Sequence, residues 1–295
     1  MSGLFPFLYS NQRKETVMSK KQALQTFNEE LHISYSQIFC FTTCPLKHRF
    51  KYVEGRPPER ISIVLPYGSA IHSGIEMAYT ALKHGRTEPL EALCERFETC
   101  LELDLENSEV PVIFKKEMQD HKSAVVMGNA MLKVFHESIP QILQNVQEIV
   151  AVEMPLTAKL FTEDGQPTEF KLAGIIDLII RDKNGFVIVV DNKTASKAMA
   201  QSTADEGGQM TAYAYLLATN KYVLPTSQVL CEFHILRKLV TPKREIVKTV
   251  RTAQDRKRFA KVANRVLSAI ENGMVYPQPS WMCSDCAYSD ACKAW

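Results

Sequence analysis

Two aspartates and a lysine are the residues best placed to do chemistry. Asp177 closes the run Ala173-Gly174-Ile175-Ile176-Asp177, Asp191 closes Val189-Val190-Asp191, and Lys193 follows two residues later. A carboxylate in an apolar strand is costly unless it is paired or holds a cation. Hard divalent ions such as Mg²⁺ take carboxylate oxygens, and an ammonium beside them can meet negative charge as it develops on a substrate. The chemistry expected is metal-assisted hydrolysis. The competing reading is a surface hairpin with a solvated, charged face.

The element that must position these groups is a β-hairpin spanning Lys171 to Thr194 and turning at Asp182-Lys183-Asn184-Gly185. Gly185 supplies the positive φ that a tight turn needs. Loop length decides which residues meet. A two-residue loop, Asn184-Gly185, sets Asp177 across from Asn192 and turns Asp191 away. A three-residue loop, Lys183-Asn184-Gly185, pairs Asp182 with Phe186, brings Asp177 opposite Asp191 and puts Lys193 on their face. The three-residue loop is chosen because it gathers both carboxylates and the ammonium. In that register Ala173, Ile175, Ile179, Val187 and Val189 share the acidic face, and Leu172, Ile176, Leu178, Ile180, Ile188 and Val190 take the other. Strands apolar on both faces are central strands covered by helices.

The pattern Gly174-Ile175-Ile176-Asp177, a turn, then Val190-Asp191-Asn192-Lys193-Thr194 resembles the PD-(D/E)XK nuclease superfamily. Within it, the pattern is most similar to the RecB-like exonucleases and the CRISPR-adaptation nucleases. The resemblance implies an α/β, restriction-endonuclease-like fold with an αβββαβ core, a mixed central sheet flanked by helices. The order of elements along the chain agrees. A helix capped by Ser69 and running to Gly85 carries His72. Strands follow from near Gln147, then a helix with Gln209 and Tyr213 four apart on one face, then a final strand over Gln228 to Lys238. Two further helices, over 88–107 and 114–139, form a helical subdomain, and a last helix covers 253–272.

The resemblance also assigns roles. His72, Asp177, Asp191 and the Asn192 carbonyl would bind Mg²⁺ or Mn²⁺. Asp177, Asp191 and Lys193 would form the catalytic set, and Gln209 and Tyr213 would orient DNA. Glu153, on the first strand, is read as an edge-strand charge and not as a member of the acidic cluster. The implied reaction is hydrolysis of DNA phosphodiesters to 5′-phosphate products, on single-stranded or end-containing DNA. Recombination and repair, phage DNA processing or CRISPR adaptation would be the setting, with a helicase or CRISPR-integrase as partner. A catalytically silent DNA-binding scaffold and a thiol–redox protein are the alternatives.

The C-terminal stretch holds Cys283, Cys286 and Cys292. Three close cysteines call for a fourth ligand. Cys44, at a Cys-Pro corner between two short helices, is chosen over Cys40. Spacing alone leaves zinc and iron–sulfur both open. By resemblance, Cys44, Cys283, Cys286 and Cys292 would hold a [4Fe-4S] cluster, stapling the N- and C-terminal parts together. Cys94 and Cys100 read as small hydrophobes, and Cys231 as a strand residue.

Composition fits an ordinary globular chain of 295 residues, 45% hydrophobic and 23% charged. Eight cysteines without a secretory signal argue against a disulfide scaffold and for the cytoplasm. Net charge is +2, so bulk charge does not announce nucleic acid. Eleven Lys or Arg between Arg237 and Arg265, against Glu245 and Asp255, read either as a solvated face or as a phosphate-tracking surface. The expected divisions are an extension over 1–20, poorly ordered, and an N-terminal helical segment over 21–66 that carries the first cluster cysteine. Then come helices over 67–146, the core sheet over 147–240, and a basic helix with the cysteine cluster over 241–295.

Overall fold

The computed structural model describes residues 32–295; the start of the helical segment expected over 21–66 and the extension over 1–20 lie outside them. Six strands form one mixed sheet: β1 (His32–Ser34), β4 (Val146–Phe161), β5 (Pro167–Asp182), β6 (Val187–Ala195), β7 (Val229–Arg237) and β8 (Lys243–Arg251). Two short strands, β2 (Ile61–Ser62) and β3 (Val112–Ile113), pair separately. The helices are α1 (Tyr35–Thr43), α2 (Pro45–His48), α3 (Val64–Lys83), α4 (Leu90–Glu106), α5 (His121–Leu143), α6 (Gln201–Glu206), α7 (Gly208–Thr219), α8 (Ala253–Glu271) and α9 (Ser289–Lys293).

The sheet is covered on both sides, as its apolar strands require. Ile63, Tyr67, Ile71, Leu93, Phe97 and Phe135 from the α3–α5 layer pack on one face. Ile38, Met210, Leu216, Phe259 and Ala263, from α1, α7 and α8, pack on the other. In α4 the stripe Leu93, Phe97, Leu101 is fully buried at helical spacing, which fixes that helix against α3 and α5.

The β5–β6 hairpin adopts the three-residue loop. Asp182 N–H donates to the Phe186 carbonyl at 3.0 Å, and Gly185 takes φ +86°. The Asp182 carboxylate stiffens the turn by accepting from Asn184 N at 3.0 Å and Phe186 N at 2.8 Å. The ladder pairs Arg181 with Val187 through Leu178 with Val190, then stops.

The expected face assignment holds along this ladder and fails upstream of it. Ile179 and Val189 lie in one core, and Leu178, Ile180, Ile188 and Val190 in the other. Leu172 and Ile176, expected opposite Ile179, share its core instead. The even–odd alternation switches at Asp177–Leu178. There the β4–β5 ladder skips from Val152–Leu178 to Met154–Ile176, leaving Glu153 and Asp177 unpaired, and Glu153 adopts φ +46°. A non-glycine residue in that region twists the strand locally.

Several boundaries also differ. Helix α3 starts at Val64, a turn before Ser69, because Pro66 in the first turn needs no N–H partner. Helix α5 starts at His121, where Asp120 and Ser123 form a capping box. The strand Val229–Arg237 is not the last, since β8 pairs with it antiparallel along its full length. Ser34 caps α1, and Cys44 sits, as expected, at the corner before Pro45.

Candidate active site

The site lies where the sheet forks. One edge of β5 is shared by two strands: β6 pairs with Arg181 to Leu178, and β1 pairs in parallel with Ala173 to Lys171. Between them, Gly174 to Asp177 have no strand partner on that edge. The Asp177 side chain fills part of the gap, its Oδ2 accepting the Asn192 N–H at 2.8 Å.

Two groups of side chains meet here. On the α3 side, His72, Glu153 and Asp177 bring one ligand atom each within 4.8 Å of one another. His72 Nδ1 lies 3.6 Å from Asp177 Oδ2. On the α7 side, Lys193 Nζ lies 3.1 Å from Asp191 Oδ1 and 2.8 Å from Oδ2. Gln209 ties the group together. Its Nε2 donates to Asp191 Oδ1 at 2.9 Å and to the Tyr213 hydroxyl at 3.0 Å, and its Oε1 accepts from Lys193 Nζ at 2.9 Å.

Electrostatics couple the two groups. Burial and then the Asp191 charge push the Asp177 carboxyl well above the usual carboxylate range, against the pull of the Asn192 N–H. Burial likewise lowers the pKa of His72, which keeps its ring neutral and able to ligate. Burial, followed by the charges of Asp191 and Asp177, holds Tyr213 as a phenol.

The donor set fits a hard cation. Crowded carboxylates beside a neutral imidazole offer the oxygen and nitrogen donors that a hard divalent ion takes. Asp191 Oδ2 is buried and has no aligned hydrogen-bond donor, although Lys193 stands beside it. A lone pair left in that state is suited to a metal.

Of the residues expected from sequence, His72, Asp177, Asp191, Asn192, Lys193, Gln209 and Tyr213 all gather at the fork. Two points differ. Glu153, read as an edge-strand charge, stands in the cage with His72 and Asp177. Asp191 is not in that close trio but pairs with Lys193 and Gln209. Gln209, expected to orient DNA, is bonded to Asp191 and Lys193.

The cysteines form a separate feature. Cys44, Cys283, Cys286 and Cys292 line one cavity of about 170 Å³, floored by Leu46, Phe50 and Tyr288. Cys40 is not among its lining residues. Burial and then the neighbouring thiols Cys44, Cys286 and Cys283 raise the Cys292 pKa. Protein contacts already join the two ends of the chain here. Glu59 N donates to the Ala287 carbonyl at 2.8 Å, its carboxylate accepts from Asp290 N and Ala291 N, and Leu46 N donates to the Tyr276 carbonyl at 3.1 Å.

The basic run resolves into two populations. Arg237, Lys238, Arg251 and Arg256 are buried. Arg251 donates to Thr211, Thr249 and the carbonyls of Ala204 and Gly207, and Arg256 to those of Pro225 and Ser227. These four belong to the core and cannot track phosphates; Lys257, Arg258, Lys261 and Arg265 on α8 are not buried.

A forked mixed sheet between two helical layers, with a His–Glu–Asp cage at the fork, defines an α/β protein with a candidate site for a hard cation. The chain belongs to the PD-(D/E)XK nuclease superfamily, whose sequence profile matches residues 32–293. Nucleases of this superfamily use divalent metals. The crystal structure of a Eubacterium rectale protein named "Putative exonuclease" shares the fold, with a TM-score of 0.55 and 12% identity over 94% of this chain and 92% of that one. A second solved structure, SSO0001, reaches a TM-score of 0.31 and 14% identity over 84% of this chain and 94% of that one, too low to carry an argument. Among curated proteins, none matches. No described helix is long and apolar enough to cross a membrane.

Proposed function

We propose that the protein is a metal-dependent deoxyribonuclease acting on single-stranded or end-containing DNA and leaving 5′-phosphate and 3′-hydroxyl products. The observation that carries this reading is the continuous contact Lys193–Asp191–Gln209–Tyr213 beside the His72–Glu153–Asp177 cage. Asp177, Asp191, His72 and the Asn192 carbonyl would hold Mg²⁺ or Mn²⁺, with Glu153 as a further ligand. When bound, such an ion polarises the scissile phosphate and makes a bound water acidic.

The chain supplies the rest. Lys193 directs its ammonium at the phosphate oxygens and steadies the attacking water. Gln209 holds Lys193 and Asp191 in register, so that the ammonium is placed before substrate arrives. Tyr213, kept as a phenol, fixes Gln209 in turn.

The cysteine cavity is proposed to hold a [4Fe-4S] cluster with a structural role. Zinc in the same four thiolates is the other occupant such a ligand set could take. Recombination and repair, phage DNA processing or CRISPR adaptation, with a helicase or integrase partner, are the settings in which such an enzyme would act.

The test is digestion of 5′- and 3′-labelled DNA with an overhang, in Mg²⁺ or Mn²⁺, by wild type and Asp191→Ala. Cleavage by wild type that Asp191→Ala lacks, with the chromophore kept in both, is the expected result. Absence of cleavage in either metal would leave the protein a DNA-binding scaffold.

A further inference from the structure

Arg96 has no part in the reading above, yet its setting is unusual. Helix α4 carries six acids, Glu91, Glu95, Glu98, Glu102, Asp104 and Glu106, and one cation, Arg96. That cation lines the same cavity of about 490 Å³ as His72, Glu76, Glu153 and Asp177. Despite three carboxylates in the lining, Arg96 makes no ion pair or hydrogen bond with any described residue. The residue is exposed.

A polyanion entering this cavity meets Glu76, Glu153 and Asp177. Lys193 stands with Asp191 and Gln209 and does not line this cavity. Arg96 is the one Lys or Arg that lines the cavity. A planar fork of N–H donors suits phosphate oxygens, and an arginine left unpaired beside acids keeps that capacity for a ligand.

We infer that Arg96 grips a backbone phosphate next to the scissile one, so that α4, outside the αβββαβ core, sets how the strand enters. This rests on the nuclease reading for the identity of the strand but not for the contact itself. The residue is a binding residue; it performs no chemistry.

The experiment measures binding of a fluorescein-labelled oligothymidylate to the full chain in Ca²⁺, by anisotropy, over a series of salt concentrations. Arg96→Ala should bind about tenfold more weakly, and its slope of log affinity on log salt should fall by about 0.7, the loss of one phosphate contact on a single strand. Arg96→Lys should keep the slope and recover part of the affinity. Thermal midpoint and its rise with Mn²⁺ should match wild type in both variants.

Affinity and slope unchanged in Arg96→Ala would overturn the inference. So would loss of the Mn²⁺-induced rise, which would place Arg96 in the cage, or failure of wild type to bind. Cleavage of the same oligonucleotide in Mg²⁺ is scored separately. Arg96-dependent binding without cleavage sinks the nuclease reading alone, and cleavage with Arg96-independent binding sinks this one alone.

Discussion

The Asp177 carboxylate accepts the Asn192 N–H at 2.8 Å, just past the last paired rung of the hairpin. A side chain thus replaces a ladder partner, and the same oxygen faces His72 at 3.6 Å. Substituting Asp177→Asn keeps an acceptor for that N–H while removing the charge. The metal-free variant should melt no lower than wild type, because a buried charge beside Asp191 is gone. Its thermal midpoint should no longer rise with Mn²⁺, and cleavage should fall by about 10²-fold or more. Melting scans with and without Mn²⁺ check this. A lower metal-free midpoint combined with an intact Mn²⁺ response would contradict the assignment.

Gln209 joins Asp191, Lys193 and Tyr213, so its removal separates positioning from substrate contact. Gln209→Ala should lower kcat about tenfold and leave KM nearly unchanged, since the residue acts through Lys193 and Asp191. Lys193→Met should cost about 10²–10³-fold in kcat. Steady-state kinetics on labelled DNA decide between the roles. A rise in KM with kcat preserved would return Gln209 to direct contact with DNA.

Much of this site could be read from residue types. Gly185 marks the turn but leaves its length open; the three-residue loop follows from asking that the acids meet, and the ladder adopts it, bringing Asp177 and Asp191 to the same end of the hairpin. A spacing of four puts Gln209 and Tyr213 on one helical face, and it is the family resemblance that singles the pair out. Glu153 was not legible, because its place in the cage depends on φ +46° at a residue type with no preference for it. No alternation rule foresees a strand that changes face at one rung. Strand β8 escaped notice because Lys243-Arg244-Glu245-Ile246 reads as a charged loop; on a sheet edge that polarity is tolerated. Composition also overstated the basic surface, since Arg251 and Arg256 spend their donors on carbonyls and threonines inside the core.

The helical layer that holds His72 and Arg96 depends on one close crossing. A Cβ on Gly128 of α5 would overlap the Phe97 ring of α4. Gly128→Ala gains roughly 1 kcal/mol of helix propensity, against about 3 kcal/mol for overpacking. A net loss near 2 kcal/mol is expected, read by urea unfolding. Because Phe97 adjoins Arg96, oligonucleotide affinity should fall in the same variant.

The cysteine cavity distinguishes two neighbours on one helical corner. Cys44 lines it together with Cys283, Cys286 and Cys292, and Cys40 does not. Purified without oxygen, Cys40→Ser should keep the brown chromophore and its iron. Cys44→Ser should lose both, along with several degrees of thermal stability, because the tie between Leu46, Phe50 and Tyr288 loosens. Iron analysis and visible absorbance read the result. Equal loss in both variants would make Cys40 a ligand, and stoichiometric zinc with no iron in wild type would replace the cluster.

Away from the fork, a buried polar network on β7 and β8 sets an acid limit on stability. Arg244 donates to His234 Nδ1 at 3.0 Å, so Nε2 carries the proton and donates to Glu232 at 2.9 Å; Lys248 lies 3.0 Å from the other Glu232 oxygen. Burial by itself would raise the Glu232 pKa. The donors His234 and Lys248 outweigh it and hold the carboxyl at about 2, below its ordinary 4.5. A depressed carboxyl stabilises the fold above its unfolded pKa, and that contribution is lost as pH falls toward the folded value. The stability gap between wild type and Glu232→Gln should therefore be full above about pH 4.5 and close as pH approaches about 2. Urea unfolding of both proteins across that window measures it. A gap that widens with acid would mean that Glu232 is not held ionised by His234 and Lys248.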